Sequence, residues 1–470
     1  MNKGSQWGGW CVAGSFYLFD VFLRLTVDVV TSSLQKEFHL NAATVSTAFS
    51  SSFFYGYAAM QIPTGYLLDR LGAKWTIIFA SLLSSIGCLL FSFAETTFTG
   101  TIARTISGIG CGCGWLGAVK VTRNSFGVQD TNKTRAIFAV TCMLGGIGGL
   151  ISQAPFQALV DSVGWRVAFR WASCIPALIA ICSFVLVGDI PFQDQQRLEE
   201  PLLSSFDVRP SQEANPEQQQ QQQQEDEGHD DNNLSSSTTT SSCAILGRCL
   251  KTPRLWLYAL YLGGTDAPFE AFAGLWGCTF FIQIYQFTPT AAAAATTIVV
   301  ILSTIAQLIV PFLQQYYTKQ TSRLYILTVL ALLGCVSFLP FLLVPVNTFF
   351  STHFVGYTSS ILLGFSVASC TVIWSLISSD KLCNGVQSTG LISGAVNTLC
   401  IAYDAFLQQM VGVVLAWNWN GKMSPVTKER VYSAEAFSYA FSILAGSFLM
   451  AAACSTLAAT GWREEQTCER

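Results

Sequence analysis

The sequence predicts an all-α membrane protein of twelve transmembrane helices arranged as two six-helix bundles. Three observations lead there. Of 470 residues, 51% are hydrophobic and only 11% are charged, whereas soluble domains carry about 25% charged residues. Apolar stretches of bilayer-spanning length, about 20 residues each, recur twelve times. One long acidic and polar segment divides them six and six.

Taken in order, the first six candidates lie near 8–30, 43–66, 75–94, 98–122, 134–157 and 166–188. The second six lie near 252–282, 289–313, 323–345, 353–378, 386–416 and 431–460. The domains expected are therefore an N-terminal bundle, 1–189, and a C-terminal bundle with a short tail, 251–470. Between them, residues 190–250 include "EANPEQQQQQQQEDEGHDDNNLSSSTTTSS". Such a composition cannot bury enough apolar surface to offset its ordering entropy, so a disordered cytosolic linker is expected. The first apolar stretch is too long, and lacks the flanks, for a cleavable signal peptide.

Composition also excludes function classes. A net charge of −3 is too small for a nucleic-acid-binding surface. The 16 cysteines are scattered through apolar runs and read as small core residues. Cys111 and Cys113, in "GIGCGCGW", read as helix-packing residues. There is no nucleophile–base pair, phosphate loop or metal-ligand spacing, and the histidines number three: His39, His229 and His353. The expectation is a protein that is not an enzyme and needs no cofactor or metal.

Lysine and arginine set the orientation. With the linker in the cytosol, sixteen loop Lys and Arg share its side and six lie opposite. Both termini are therefore expected in the cytosol, in a multi-pass protein of the plasma membrane or an endolysosomal or vacuolar membrane. The sequons at Asn132 and Asn233 then face the cytosol, unglycosylated.

The stretch "FDVFLRLTVDVV" places Asp20, Arg24 and Asp28 inside the first helix. At 100° per residue these positions fall within about 80° of arc, on one face. One charge at the bilayer centre costs about 2.5–3.5 kcal/mol or more, so that face is expected to look onto a water-filled cavity. Asp20–Arg24 and Arg24–Asp28 also have pairing spacing. Arg104 and Lys120 share a face of the fourth helix, about 24 Å apart along it. Asp266 and Glu270 flank Pro268 on the seventh, where the proline is expected to kink the helix. Asn397, Asp404 and Gln408 form a polar stripe on the eleventh, with Tyr403 alongside. Trp276, Tyr285 and Trp374 are candidate pathway aromatics.

Residues 65–75, "GYLLDRLGAKW", resemble the loop between helices 2 and 3 of the major facilitator superfamily, G-x-L-x-D-R-x-G-R/K-R/K. Gly65, Leu67, Asp69, Arg70, Gly72 and Lys74 match, and Ala73 departs at one basic position. "RTISGIG" resembles the family's helix 4, and "GGIGGLISQAP" its glycine-rich helix 5. The resemblance implies the major facilitator fold, alternating access, and docking of Asp69 on the N-terminus of helix 11, at "NGVQSTGLISG", as a gating latch. The second copy of the loop, "PFLQQYYTKQTSRLY", is degenerate.

More narrowly, "GWLGAVKV" resembles helix 4 of organophosphate exchangers, which hold phosphate between arginines on helices 1 and 7. Arg24 matches the first. Asp266 and Glu270 replace the second, which favours a zwitterion over a phosphate. The chain also looks like nutrient-uptake permeases of bacteria and protists and, distantly, the lysosomal dipeptide transporter branch. "EEPLLSS" resembles an acidic dileucine sorting signal. The function expected is a secondary transporter of a small polar, anionic or zwitterionic nutrient, with the lipid bilayer as its surroundings and protons as candidate co-substrate. A uniporter, an endolysosomal dipeptide transporter and a non-transporting receptor-like protein stay open.

Overall fold

In the computed structural model the described residues are 3–126, 131–188, 247, 251–314, 320–343, 349–378, 389–424 and 430–468. They form twelve helical runs, numbered here α1 to α12. The first six are α1 (Lys3–Phe38), α2 (Ala42–Val45, a π-helical turn Ser46–Ser51, then Ser52–Arg70), α3 (Ala73–Ser92), α4 (Thr97–Cys111 and Gly114–Phe126), α5 (Thr131–Ser152 and Ala154–Val163) and α6 (Trp165–Leu186). The second six are α7 (Pro253–Ala271, a π-helical turn Phe272–Trp276, then Gly277–Gln283), α8 (Pro289–Gln314), α9 (Gln320–Leu343), α10 (Phe349–Ser366 and Ser369–Ser378), α11 (Thr389–Trp417) and α12 (Ala434–Cys468). Apart from Gly247, the expected 190–250 linker lies outside the described residues.

Helix pairing repeats with a period of six. In the first half α1 packs on α5, α3 on α6, and α2 on α4; in the second α7 packs on α11, α9 on α12, and α8 on α10. The halves meet along three seams: α2 on α11, α5 on α8, and α1 on the π-helical turn of α7. Glycines let α5 serve two neighbours at once. A Cβ at Gly148 would fall on the backbone carbonyl of Leu18 in α1, and one at Gly146 on the Thr304 side chain of α8.

Eight of the runs are long and apolar enough to cross a membrane. The other four, α2, α4, α7 and α10, are each interrupted partway. Away from water, a carbonyl freed by an interruption needs another donor. Side chains supply it. Arg104 Nε donates to Phe49 O in the π-helical turn of α2, at 2.7 Å. Gln61 Nε2 donates to Gly112 O at the break of α4, at 2.9 Å. Gln153 Nε2 donates to Ala273 O in the π-helical turn of α7, at 3.2 Å.

The proline in α7 follows the same logic. Pro268 has no N–H to offer the carbonyl four residues back. Ser447 Oγ of α12 donates to that carbonyl, Gly264 O, at 3.1 Å.

Candidate functional site

A cavity of about 100 Å³ lies between the halves. Tyr17, Arg24, Cys142 and Gly146 contribute to its wall from the first half, and Asp266, Glu270, Trp374 and Asn397 from the second. Of the ten charged and polar residues singled out on helices 1, 4, 7 and 11, Arg24, Asp266, Glu270 and Asn397 line this space.

Arg24 is held from its own half. Its Nε and Nη2 each donate to a different Asp20 oxygen at 3.1 Å, one turn earlier on α1. Nη2 also donates to Tyr57 Oη at 2.9 Å, and Tyr57 Oη donates to Asp20 Oδ2 at 3.2 Å. The guanidinium carbon sits 4.7 Å from the centre of the Tyr57 ring. Asp20 is fully buried, against Gly114 of α4, where a Cβ would come within 2.8 Å of it. A bidentate carboxylate fixes the plane of the guanidinium, and this one leaves Nη1 pointing across the cavity. There it faces Glu270 Oε1 at 3.8 Å, an ion pair too long for a hydrogen bond.

Beyond Glu270, Asp266, Cys400 and Asp404 bring one ligand atom each to within 4.8 Å of one another. Asp266 is half-buried and Asp404 fully buried. Asn397 donates to Gln61 Oε1 at 2.8 Å, so the α4 break and α11 are joined through one glutamine across the α2–α11 seam.

The remaining residues lie elsewhere. Asp28 is buried beside the Cys278 thiol of α7, away from the cavity wall. Arg104 is spent on Phe49 O and, at 3.3 Å, on Leu23 O, between the Phe53 and Phe91 rings. It supports the first half from within and does not border the cavity, because the π-helical turn of α2 presents a carbonyl that periodicity alone does not reveal. Lys120 is half-buried and also off the wall. Trp276 and Tyr285 are buried away from it, whereas Trp374 borders it. Gln408 hydrogen-bonds Ser50 across the α2–α11 seam.

At the α2–α3 turn, Gly65 is buried near the end of α2 and Gly72, the residue before α3, adopts φ +84°. Arg70 lies over the Tyr66 ring at 5.6 Å and Lys74 over Phe184 at 4.9 Å. The expected latch lies outside the described residues, as do the Asp69 side chain and residues 379–388.

Tyr57, Gln61 and Tyr17 were not singled out from sequence, and Trp115 entered only through the Gly-Trp pair of "GWLGAVKV". Gln61 carried a usable signal, a polar residue inside an apolar run; the tyrosines carried none.

Residues 8–402 match the sequence signature of the Major Facilitator Superfamily. The chain belongs to this superfamily. Its fold is that of a major facilitator, and it is a multi-pass membrane protein. It is 28% identical over 165 residues to the uncharacterized transporter YybO of Bacillus subtilis, covering 35% of this chain and 37% of that one. It is 32% identical over 170 residues to the gentisate transporter of Corynebacterium glutamicum, with the same 35% and 37% covered. The probable sulfoacetate transporter SauU of Cupriavidus necator is 29% identical over 146 residues, covering 31% and 33%. The alignments thus span about a third of these relatives' lengths.

Among solved structures, a bacterial homolog of the human lysosomal transporter Spinster, inward-facing and unoccupied, superposes with TM-score 0.67 at 13% identity over 98% of both chains. The nucleoside transporter NupG gives TM-score 0.63 at 14% identity, covering 96% of this chain and 99% of that one. At these identities the likeness concerns the fold.

Proposed function

We propose that this major facilitator is a secondary transporter that moves a small carboxylate-bearing nutrient, an organic anion or a zwitterion, by alternating access and with proton coupling. One observation carries the reading: Arg24, oriented by Asp20 and Tyr57, presents Nη1 to a cavity shared by both halves, with Glu270 standing 3.8 Å away. A substrate carboxylate entering there competes with Glu270 for one cationic nitrogen. With Asp20 already on the guanidinium, Glu270 and a substrate carboxylate make three against one charge, which is unfavourable unless one is neutralised, so substrate binding favours uptake of a proton by Glu270. Two relatives, the gentisate transporter and the probable sulfoacetate transporter, are named for organic anions, which supports this class.

Lys and Arg counts in the loops support cytosolic termini and a cytosolic α2–α3 turn. On that orientation, Ser50–Gln408 and Gln153–Ala273 join the halves on the far side. Trp115 and Trp374, with ring centres 6.1 Å apart, meet on the cytosolic side of the cavity.

The test is uptake by proteoliposomes, using labelled monocarboxylates, dicarboxylates and amino acids with and without an inward proton gradient. Gradient-stimulated accumulation of a carboxylate-bearing compound, abolished by Arg24→Ala, is expected. Equal uptake by the Arg24→Ala protein, or uptake confined to uncharged sugars or nucleosides, overturns the proposal.

A further inference from the structure

The cavity wall is unbalanced in charge. Arg24 answers Asp20 directly and Glu270 at longer range, which leaves Asp266 and Asp404 without an ion pair among the described residues. Asp404 is fully buried, and neither of its carboxylate oxygens has a hydrogen-bond partner among the described residues. Out of water a carboxylate is either protonated or matched by a cation. Asp266 is half-buried and borders the cavity, so such a cation has a way in.

The spacing accommodates a small cation. The Asp266, Cys400 and Asp404 atoms lie within 4.8 Å of one another. An ammonium nitrogen donating at about 2.8 Å in tetrahedral directions holds its acceptors about 4.6 Å apart. A tetrahedral metal with bonds of about 2.0–2.3 Å draws its ligands to about 3.5 Å. A bound of 4.8 Å accommodates either; the amine is favoured because Arg24, across the same cavity from Asp266, is placed to take the carboxylate of the same molecule.

We propose that Asp266 and Asp404, with the Cys400 thiol beside them, form an ammonium subsite on the α7–α11 seam, and that the transported molecule is an α-amino acid. This rests on the transporter reading above. The amine sits between the two aspartates, and the carboxylate reaches Arg24 Nη1. Asp266 and Glu270 are four residues apart on α7, about 6 Å along the axis. A single amino acid, hydrogen-bonded at each end, bridges that distance. The acids then divide the work: Glu270 yields Arg24 to the substrate, and Asp266 and Asp404 hold its amine.

Matched ligand pairs test this on the full-length protein in detergent, by thermal stabilisation: alanine with propanoate, aspartate with succinate, and phenylalanine with 3-phenylpropanoate. Glycyl-alanine, manganese chloride and zinc chloride, the metals with and without EDTA, complete the set. An amino acid should stabilise while its partner lacking the amine does not, and Asp404→Asn should weaken that amino acid about tenfold or more. Equal stabilisation by both members of each pair overturns the subsite but leaves the organic-anion transporter standing. EDTA-reversible stabilisation by metal, without any by amino acids, makes the cluster a metal site and overturns it as well. Stabilisation by the dipeptide alone overturns the single-residue substrate. If none of the amino acids binds, the ammonium subsite is rejected whatever the uptake assay shows.

Discussion

Arg104 Nε donates to the carbonyl of Phe49 at 2.7 Å, so a charged side chain on α4 completes the hydrogen bonding of a π-helical turn on α2. Its Nη1 also donates to Leu23 O of α1, which Thr26 Oγ1 serves as well. Replacing it with methionine keeps much of the volume but strands the Phe49 carbonyl, at a cost of about 1–3 kcal/mol. The expected outcome for Arg104→Met is a lower melting temperature and poorer yield. The folded fraction should keep its ligand affinity, because Arg104 does not border the cavity. Melting curves and ligand titrations on one preparation check both parts.

That residue shows where sequence reading stops. The period of apolar residues exposes twelve runs, and three charges on one helical face point to a cavity at Arg24. Periodicity specifies a face, however, and neither a register nor a partner. The π-helical turns of α2 and α7 shift the register of everything beyond them, and no propensity in "STAFSS" or "FAGLW" announces them. On α1, which has no such turn, Asp20, Arg24 and Asp28 keep their shared face but meet different neighbours, Asp20 bonding Tyr57 of the first half and Asp28 lying beside Cys278. Only Arg24 reaches the cavity.

Ser447 should matter more than an ordinary buried serine. It donates to Gly264 O, the carbonyl that Pro268 leaves unmet, and its hydroxyl also meets Tyr403 Oη at 3.1 Å. Ser447→Ala is expected to destabilise the protein by about 1–3 kcal/mol. In a Pro268→Ala background an amide is restored to α7, and the same change should cost less. A double-mutant cycle on melting temperature measures the coupling; strict additivity would contradict the pairing.

The α5–α8 seam predicts a rescue. A Cβ at Gly146 would overlap the Thr304 side chain, whereas at Gly148 the obstacle is the Leu18 backbone. Gly146→Ala should therefore lower stability, and Thr304→Ala, which removes the two nearest atoms but leaves its own Cβ 2.7 Å away, should recover part of the loss. Gly148→Ala should be damaging with no side-chain change available to relieve it, since a carbonyl cannot be trimmed. Melting temperatures of the four proteins decide this.

Glu270→Gln separates binding from coupling. Glutamine keeps the shape but removes the charge that competes for Arg24 Nη1. If Glu270 carries the proton, the variant should bind substrate at least as tightly and still exchange it across the bilayer, while an inward proton gradient no longer drives accumulation. Counterflow and gradient-driven uptake, measured on the same proteoliposomes, check this. Undiminished gradient-driven accumulation would assign the proton to another acid.

Trp374 should control access to the cavity from the side bearing the α2–α3 turn. It is buried on α10, opposite Trp115 of α4, which in turn packs on Tyr17 with ring centres 5.1 Å apart. These rings link the two halves, and Trp374→Ala removes the part contributed by the second. Cys142 lies on the cavity wall and is itself buried, which makes it an internal reporter. A membrane-impermeant thiol reagent applied from that side should label Cys142 slowly in the natural protein and markedly faster in Trp374→Ala, as read by peptide mass spectrometry. Saturating substrate should slow the labelling again, because the ligand fills the space the reagent must cross. Unchanged labelling in Trp374→Ala would mean that the aromatic contact packs the helices together without gating the path.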